Sequence, residues 1–261
     1  MKKDILTIIP VRMASTRLPN KPIADINGKT MIERVYNQAI KANIGKVIIA
    51  CDGEEIANIA RKINADFVIT DPNLPSGTDR IYQALTSFLL QNNQSINDYQ
   101  AIINLQGDLP AIDPNIIIEL ADLIRNNSEC DIATLASIIN EIDQINNPNI
   151  VKIALAKLNI IGNNIGQALY FSRSAIPFMM KNSGNNNYFH HIGIYGYKTK
   201  SLEKFVNLAP SQLEQQESLE QLRALENNMK ILVKIVDHHP ISVDTQSDLE
   251  IARALCPQEV I

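Results

Sequence analysis

Runs of apolar, β-branched residues alternate with stretches of helical period through the first half of this 261-residue chain. The runs lie at residues 5–11, 46–51, 66–70 and 101–105 and predict buried strands. Apolar residues at three- and four-residue spacing predict a helix in each interval, at Met31, Ile32, Val35, Ala39 and Ile40, at Ile56, Ile59, Ala60 and Ile63, and at Ile81, Leu85, Phe88 and Leu89. This alternation predicts a mostly parallel, doubly wound α/β sheet.

The second half is less regular. One long helix is expected near residues 211–226, and a closing strand and helix over residues 231–255. Further strands are expected at the apolar segments 132–139, 150–158, 168–171 and 192–197. We interpret this half as a continuation of the sheet with an antiparallel insertion. At about 100–200 residues per domain, the length allows one large domain or two small ones.

The charge balance excludes some functions. The chain has 24 Lys and Arg residues against 28 Asp and Glu, a net charge of −4, and no basic cluster of the kind that duplex nucleic acid requires. Cys51, Cys130 and Cys256 lie far apart without a CxxC motif, which predicts reduced, buried thiols of a cytoplasmic protein. With no signal-peptide pattern and no apolar run of about 18 residues, we expect a soluble, unexported protein.

The residues that follow four predicted strands carry most of the chemistry. They are residues 12–21, 51–53, 76–80 and 106–108. Because ligands of parallel α/β sheets bind beyond the carboxyl ends of the strands, we expect these segments to converge on one edge. That edge is the predicted ligand site.

The first of these segments is a basic loop bracketed by prolines, over residues 10–22. Its charged and hydroxyl residues are Arg12, Ser15, Thr16, Arg17 and Lys21. Backbone N–H groups and hydroxyls of such a loop wrap phosphate oxygens while the cations neutralise their charge, so we predict a triphosphate site. The alternative is a solvated basic loop.

Two common nucleotide motifs are missing. Gly28-Lys29-Thr30 is similar to the end of a Walker A loop, but Ile23 stands where its first glycine is required. No GxGxxG follows the first predicted strand, which disfavours a dinucleotide site and hydride chemistry.

Two aspartates end separate apolar segments. Asp108 follows Gln106 and Gly107, where the glycine permits close backbone approach, and Asp244 follows Val243. Two carboxylates from separate strand ends hold Mg²⁺ while phosphate oxygens and water fill its other positions. The alternative for Asp244 is capping of the helix that follows. Together with the basic loop, the pair predicts magnesium-dependent phosphate chemistry.

Seven segments, in order along the chain, carry a resemblance to a known family. They are RMASTRLPNKP at residues 12–22, SGTDR at 76–80, QGD at 106–108, YFSR at 170–173, HIGIYGY at 191–197, LEQLR at 219–223 and VDT at 243–245. The ordered set resembles the motifs of the 3-deoxy-manno-octulosonate (Kdo) cytidylyltransferase family. The first segment recurs across sugar nucleotidyltransferases, so the specificity lies in the set.

The resemblance implies a Rossmann-like nucleotide-diphospho-sugar transferase fold, with residues 1–261 as a single nucleotidyltransferase domain. Residues 1–130 would mainly bind CTP, and residues 131–261 would mainly bind the sugar acid and form a homodimer. The implied reaction transfers CMP from CTP to the anomeric hydroxyl of Kdo and releases pyrophosphate. It activates Kdo for lipopolysaccharide biosynthesis in the cytoplasm.

Residue roles on the nucleotide side also follow from the resemblance. Asp108 and Asp244 would hold Mg²⁺ and, with Arg12 and Lys21, would be catalytic. The CTP-binding residues would be Arg12, Ala14, Ser15, Lys21, Gly77, Thr78 and Gln106.

On the acceptor side, the resemblance implies six residues around the sugar acid. These are Arg80, Arg173, His191, Tyr195, Glu220 and Gln221. Arginine suits a carboxylate because its planar fork binds both oxygens. Two alternatives stay open: a cytidylyltransferase for another sugar acid, such as 8-amino-Kdo or an acylneuraminate, and a non-catalytic nucleotide-binding homologue.

The chain departs from the family pattern at three places. Leu109 stands where a Glu is usual, His190 stands where an Arg is common, and residues 154–167 lack the usual acidic residue. The adjacent pairs His190-His191 and His238-His239 point to opposite faces of extended segments, so neither pair is expected to chelate one metal ion.

Overall fold

The computed structural model describes residues 3–15, 17–159, 162–180 and 187–257. Thr16, one of the predicted loop hydroxyls, lies outside the described residues. The chain forms two compact units, Met1–Ala121 with Pro240–Ile261, and Asp122–His239. The C-terminal segment therefore completes the first unit.

The first unit contains the predicted parallel sheet. Its strands, in spatial order, are β5 (Asp66–Ile69), β4 (Lys46–Cys51), β1 (Lys3–Val11) and β6 (Tyr99–Asn104), and every pairing among them is parallel. The strand order reverses between β1 and β6, since β4 and β5 extend the sheet on one side of β1 and β6 extends it on the other. The crevice at such a reversal is where doubly wound sheets bind ligands.

The predicted helices of the first unit are present. Thr30 caps one by accepting the Glu33 N–H, and Ser76 caps another by accepting the Asp79 N–H. The helices of this unit are α1 (Met31–Ala42), α2 (Glu54–Lys62), α3 (Gly77–Gln91), the first part of α4 (Pro114–Asn126), and α9 (Gln246–Leu255). The prediction of alternating strands and helices is confirmed here.

A small apolar cluster attaches the C-terminal helix to the basic loop. Leu18 of the loop is buried with Val243 and with Leu249 of α9. The two-stranded hairpin β2 (Asp25–Ile26) and β3 (Lys29–Thr30) adds Ile26 to this cluster. Burial of these side chains holds residues far apart in sequence on one side of the first unit.

The second unit is built mainly from antiparallel pairs. Its strands, in spatial order, are β10 (Tyr188–Lys198), β7 (Ile132–Ile139), β11 (Ile231–Val236), β9 (Ile165–Ser172) and β8 (Lys152–Ala156). The β11–β7 pair is parallel, whereas β10–β7, β11–β9 and β8–β9 are antiparallel. The first unit thus has the parallel pairing predicted for the first half. The antiparallel pairs of the second unit agree with the antiparallel insertion expected in the second half, and they make up most of its pairings.

The prediction of one long helix over residues 211–226 is wrong. The chain instead forms α7 (Gln212–Glu217) and α8 (Leu222–Glu226). Ser218 between them adopts the left-handed region, with φ 52° and ψ 50°, which ends α7 and lets Leu219 turn inward to 7% exposure. Two further helices, α5 (Ile142–Asn146) and α6 (Thr199–Val206), complete the unit. No helix in the described ranges is long and apolar enough to cross a membrane.

Candidate active site

A cavity of about 570 Å³ lies in the first unit, at the carboxyl ends of β1 and β6. Its wall comes from the loop over residues 10–22, the turn over residues 74–80 that leads into α3, residues 106–108, and Asp244. The predicted convergence is confirmed for residues 12–21, 76–80 and 106–108, whereas residues 51–53 are not part of the wall. The cavity therefore brings together most of the residues predicted on the nucleotide side.

The Lys21 ammonium joins the two predicted metal ligands. Its Nζ lies 2.9 Å from Asp108 Oδ2 and 3.1 Å from Asp244 Oδ1. Burial lowers the pKa of Lys21, but the two carboxylates outweigh that effect and hold it above its ordinary value. Arg17 adds a second cation, with its Nη2 3.1 Å from Asp244 Oδ1. Two carboxylates and two cations thus meet on the cavity wall.

The carboxylate of Asp244 does not cap α9. Thr245 is the N-cap, and its hydroxyl accepts the N–H of Asp248. The Asp248 carboxylate in turn accepts the N–H groups of Asp244 and Thr245, at 3.0 and 2.8 Å. This capping box satisfies the start of the helix, so the alternative of Asp244 as the helix cap is wrong.

Local backbone structure places Lys21 beside these aspartates. Asn20 adopts the left-handed region (φ 59°, ψ 26°) and begins a 3₁₀ turn over Lys21–Ile23. The Val243 N–H donates to the Asp108 carbonyl at 2.9 Å, which ties the two aspartate-bearing segments to each other. Asparagine adopts this conformation at low cost, and the turn directs Lys21 toward the aspartates.

Gly107 lies where two backbones approach closely. A Cβ at this position would lie 3.1 Å from the Pro10 carbonyl oxygen and 3.1 Å from Val11 Cγ2. The prediction that Gly107 permits close approach is confirmed. A larger residue would need its neighbours to shift by a few tenths of an ångström.

Asp52 lies in residues 51–53, one of the four segments predicted to carry the chemistry. Its two carboxylate oxygens accept the Met13 N–H at 3.0 and 3.2 Å, so it holds the start of the basic loop. Its position directly after β4 was the available signal. A carboxylate beside a predicted triphosphate site is electrostatically unexpected, and sequence reasoning gave it no role.

The turn into α3 supplies the remaining wall. Gly77 lines the cavity. Thr78 is only 2% exposed and does not line it. Gln106 lines the cavity and donates through Nε2 to Asn104 Oδ1 at 3.2 Å. Arg12, Ala14 and Ser15 line it as predicted.

Arg80, predicted on the acceptor side, lies in the wall of this cavity. Its side chain is buried and its Nη1 donates to Thr70 Oγ1. Burial lowers the pKa of Arg80, with Arg12 adding to that effect and Asp52 opposing it. The other five predicted acceptor residues belong to the second unit.

In the second unit, the Arg173 side chain is held by backbone carbonyls. Its Nε donates to the Glu217 carbonyl at 2.7 Å, its Nη1 to the Pro148 carbonyl at 2.9 Å, and its Nη2 to the Ser218 carbonyl at 3.4 Å. The guanidinium has five N–H groups. One N–H on each terminal nitrogen is therefore left over from these three bonds.

His191 and Tyr195 lie together and are neutral at neutral pH. His191 is 8% exposed, its Nε2 is 3.0 Å from Thr134 Oγ1, and its ring centroid is 5.4 Å from that of Tyr195. Burial lowers the pKa of His191 to about 3, with His190 and His239 adding to the effect. Burial also raises the pKa of Tyr195 well above its ordinary value. Both side chains therefore offer hydrogen bonds rather than charge.

The last two predicted acceptor residues precede α8. Gln221 is 6% exposed, and its Nε2 makes no hydrogen bond with the part of the chain that the structure describes. Glu220 is half-buried, and its charge contributes to the raised pKa of Tyr195. A buried amide donor of this kind needs a partner, which a polar ligand can provide.

Comparisons with known proteins show the family to which the chain belongs. The cytidylyltransferase family model matches residues 6–231. A Bartonella bacilliformis protein named 3-deoxy-manno-octulosonate cytidylyltransferase is 48% identical over 254 residues, which cover 96% of this chain and 97% of that protein. A Rhodospirillum rubrum protein of the same name is 43% identical over 250 residues, covering 96% and 94%. The chain belongs to the 3-deoxy-manno-octulosonate cytidylyltransferase family.

Solved structures agree with membership of the 3-deoxy-manno-octulosonate cytidylyltransferase family. The structure of CMP:2-keto-3-deoxy-manno-octonic acid synthetase complexed with CTP has a TM-score of 0.85 and 34% identity, covering 98% of this chain and 100% of that one. A cytidylyltransferase from Leptospira borgpetersenii, at 15% identity and a TM-score of 0.58, shares the fold. The chain thus has the mixed α/β fold of this family.

Two departures from the family pattern have a structural setting. Leu109, beside Asp108, is 5% exposed and packs in the core of the first unit. His190 stacks on His239, with ring centroids 3.7 Å apart and ring planes at 12°. Stacked rings present their faces to each other, a geometry that serves packing rather than chelation of one ion.

Proposed function

We propose that this chain transfers CMP from CTP to the anomeric hydroxyl of Kdo, releases pyrophosphate, and so activates Kdo for lipopolysaccharide biosynthesis. The observation that carries the proposal is the Lys21 ammonium between Asp108 and Asp244 on a cavity that the basic loop also lines. Relatives that are 43–48% identical over almost their whole length, and that are named for this activity, support it.

The donor set of the cavity fits Mg²⁺. Both carboxylates approach one cation, the Lys21 ammonium, within 3.1 Å, so they already converge on a point of positive charge. No group of three or more His, Cys, Asp or Glu side chains suited to a metal occurs within the described ranges. Mg²⁺ is commonly held by one or two carboxylates with phosphate oxygens and water, which matches this pair. We therefore propose Asp108 and Asp244 as its ligands.

The proposed reaction is an in-line displacement at the α-phosphorus. The anomeric oxygen of Kdo forms a bond to this phosphorus, the bond to the β-phosphate bridging oxygen breaks, and the hydroxyl proton passes to solvent. Arg12, Arg17 and Lys21 neutralise the charge of the phosphates, and N–H groups of the loop orient them. Bound Mg²⁺ would add charge neutralisation and lower the pKa of the attacking hydroxyl.

On the acceptor side, we propose that Arg173 binds the Kdo carboxylate. The one N–H left on each terminal nitrogen of its guanidinium supports this role, because two donors match the two oxygens of a carboxylate. Neutral His191, Tyr195 and Gln221 would bind sugar hydroxyls. As the family resemblance implies, we propose that Arg80 and Glu220 also surround the sugar acid and that Thr78 helps to bind CTP.

We also propose a Rossmann-like nucleotide-diphospho-sugar transferase fold, a single domain and a cytoplasmic homodimer. The strand order of the first unit supports the fold. The exposed apolar side chains Leu169, Phe178 and Met180 of the second unit support self-association. Light scattering is expected to give twice the mass of the chain, and a monomer would contradict the dimer.

A panel of sugar acids tests the proposed activity. Pyrophosphate release is measured with CTP, Mg²⁺ and either Kdo, 8-amino-Kdo or N-acetylneuraminate, with UTP replacing CTP as a control. We expect release with CTP and Kdo, and a product of the mass of CMP-Kdo. Turnover with N-acetylneuraminate and none with Kdo would contradict the acceptor, and no turnover with any acid would favour the non-catalytic homologue.

A further inference from the structure

Lys152 is a fully buried lysine of the second unit whose partners are all backbone carbonyls. Its side chain is 0% exposed at the start of β8. Its Nζ donates to the Asn147 carbonyl at 3.0 Å, to the Ile150 carbonyl at 2.6 Å, and to the Arg173 carbonyl. An ammonium has three N–H donors, so these bonds use all of them.

A buried lysine without a carboxylate partner destabilises the folded state. Removal of an ammonium from water is unfavourable, and carbonyl partners satisfy its N–H groups without neutralising its charge. Within the described ranges no carboxylate forms an ion pair with Lys152. An apolar residue of similar size would fill the same space without this cost. What Lys152 adds is therefore the fixed position of the three carbonyls.

The peptide groups on both sides of the Arg173 Cα are held by ionised side chains of opposite charge. Lys152 binds the carbonyl of Arg173, and the Glu217 carboxylate accepts the N–H of Arg173 at 2.9 Å. Glu217 is itself fixed, because its other oxygen accepts the Ser172 hydroxyl at 2.6 Å. The backbone of Arg173 is thus clamped on both sides.

The same turn anchors both cations. Lys152 binds the carbonyls of Asn147 and Ile150, and the Arg173 guanidinium binds the carbonyl of Pro148 between them. Movement of this turn would therefore shift the guanidinium as well as the backbone of Arg173. Lys152 therefore fixes the position of the Arg173 guanidinium in two ways. It binds the Arg173 carbonyl, and it holds the turn over residues 147–150, whose Pro148 carbonyl binds the guanidinium.

We propose that Lys152 is a positioning residue that fixes the Arg173 guanidinium for the carboxylate of the sugar acid. This inference rests on the proposed function, because it takes Arg173 as the carboxylate ligand. Lys152 itself has no free N–H and touches no substrate in this proposal. Its effect is on the affinity for the sugar acid and not on the binding of CTP.

The test is a comparison of Michaelis constants for the two substrates. Lys152→Met removes the charge and the donors and keeps the length of the side chain. We expect the KM for Kdo to rise at least about 10-fold, since a displacement of about 1 Å can cost up to about 100-fold, with the KM for CTP within about 2-fold of the wild-type value. Lys198→Met is the matched control, since Lys198 also binds a carbonyl of this unit, that of Ile124 at 2.6 Å.

A double-mutant cycle separates positioning from a general loss of structure. Arg173→Ala and the double variant Lys152→Met/Arg173→Ala are measured beside the single variant. If Lys152 acts through Arg173, the double variant has the same KM for Kdo as Arg173→Ala alone. If the double variant instead shows the product of the two single-variant increases in the KM for Kdo, the two residues act independently and the proposal is overturned.

Two further measurements keep the test decisive. Circular dichroism and the KM for CTP report whether the Lys152→Met variant is folded. If it is not folded, Lys152→Gln, which retains two N–H donors, replaces it in the same double-mutant cycle. A folded variant with an unchanged KM for Kdo would overturn the positioning role alone. A wild-type protein without Kdo-dependent turnover would contradict both this role and the proposed function.

Discussion

Two lysines, one in each unit, show how the type of partner decides what a buried cation does. Lys21 lies between two carboxylates, which raise its pKa despite burial. Lys152 binds three carbonyls and, among the described residues, no carboxylate. Burial lowers the pKa of Lys152, the charge of Arg173 lowers it further, and the charge of Glu217 opposes this effect. Carboxylates make Lys21 part of a charged cluster on a cavity, whereas carbonyls make Lys152 a clamp on the backbone.

The largest effect is expected from the carboxylates that distinguish Lys21 from Lys152. Asp108→Asn and Asp244→Asn should each lower kcat at least about 100-fold, because each removes one of the two carboxylates proposed to hold Mg²⁺. Steady-state pyrophosphate release measures this. Asp66→Asn is the matched control, since Asp66 pairs with Lys46 at 2.6 Å on the exposed side of β5. Full activity in either variant would remove that aspartate from the mechanism.

Loss of the Lys21 ammonium should cost almost as much. We expect Lys21→Met to lower kcat/KM for CTP about 100-fold, because a cation that neutralises developing charge is lost. The two carboxylates would then repel each other, which makes the site less favourable for a polyanion. The exposed Lys62, near the end of α2, provides the control variant Lys62→Met. Equal kcat/KM values for the two variants would contradict the contrast between Lys21 and a solvated lysine.

The neighbourhood of Lys152 should make folding sensitive to mild acid. Burial lowers the pKa of His191 to about 3, whereas an unfolded histidine titrates near 6.5. Between these values the unfolded chain binds more protons, so stability falls as the pH drops below about 6.5. By pH 5 the loss is about 2 kcal/mol for this one group.

Urea unfolding at pH 7 and pH 5 measures this sensitivity. His191→Gln, which stays neutral, should lose about 2 kcal/mol less than the wild type between the two pH values. The exposed His238 gives the control variant, His238→Gln. A pH dependence of His191→Gln equal to that of the wild type would show that His191 is not held neutral by burial.

The smallest effect is expected from Asp52, the carboxylate that holds the basic loop through the Met13 N–H. Asp52→Ala should raise the KM for CTP roughly 10-fold, the value of one charge-assisted hydrogen bond of about 1.5 kcal/mol. Asp52→Asn retains an acceptor and removes a negative charge near the triphosphate, so its KM should stay within about 3-fold of the wild type. Equal KM values for both variants would contradict a role in holding the loop.

The first unit was largely predictable from sequence because its structure is local and periodic. Apolar runs marked β1, β4, β5 and β6, and residues after the strands marked the cavity. What the sequence left open was settled by side-chain contacts. The cap of α9 is Thr245 and not Asp244, and the hydroxyl residue Thr78 is buried rather than on the wall.

The second unit was predicted less well because its structure depends on distant contacts. A continuous helical pattern over residues 211–226 gives no sign that Ser218 turns left-handed and that Leu219 after it is buried. Lys152 reads as an ordinary polar residue in sequence. Its role emerges only when the carbonyl of Arg173, distant in sequence, is bound to it.

The central claim is that this chain moves the α-phosphate of CTP to Kdo. CTP labelled in the α-phosphate, and CTP labelled in the γ-phosphate, are each incubated with Kdo, Mg²⁺ and the protein, and the products are separated. We predict that the α-label appears in CMP-Kdo and the γ-label in pyrophosphate, in equal amounts. Label in CDP or inorganic phosphate, or no Kdo-bound label, would contradict the account.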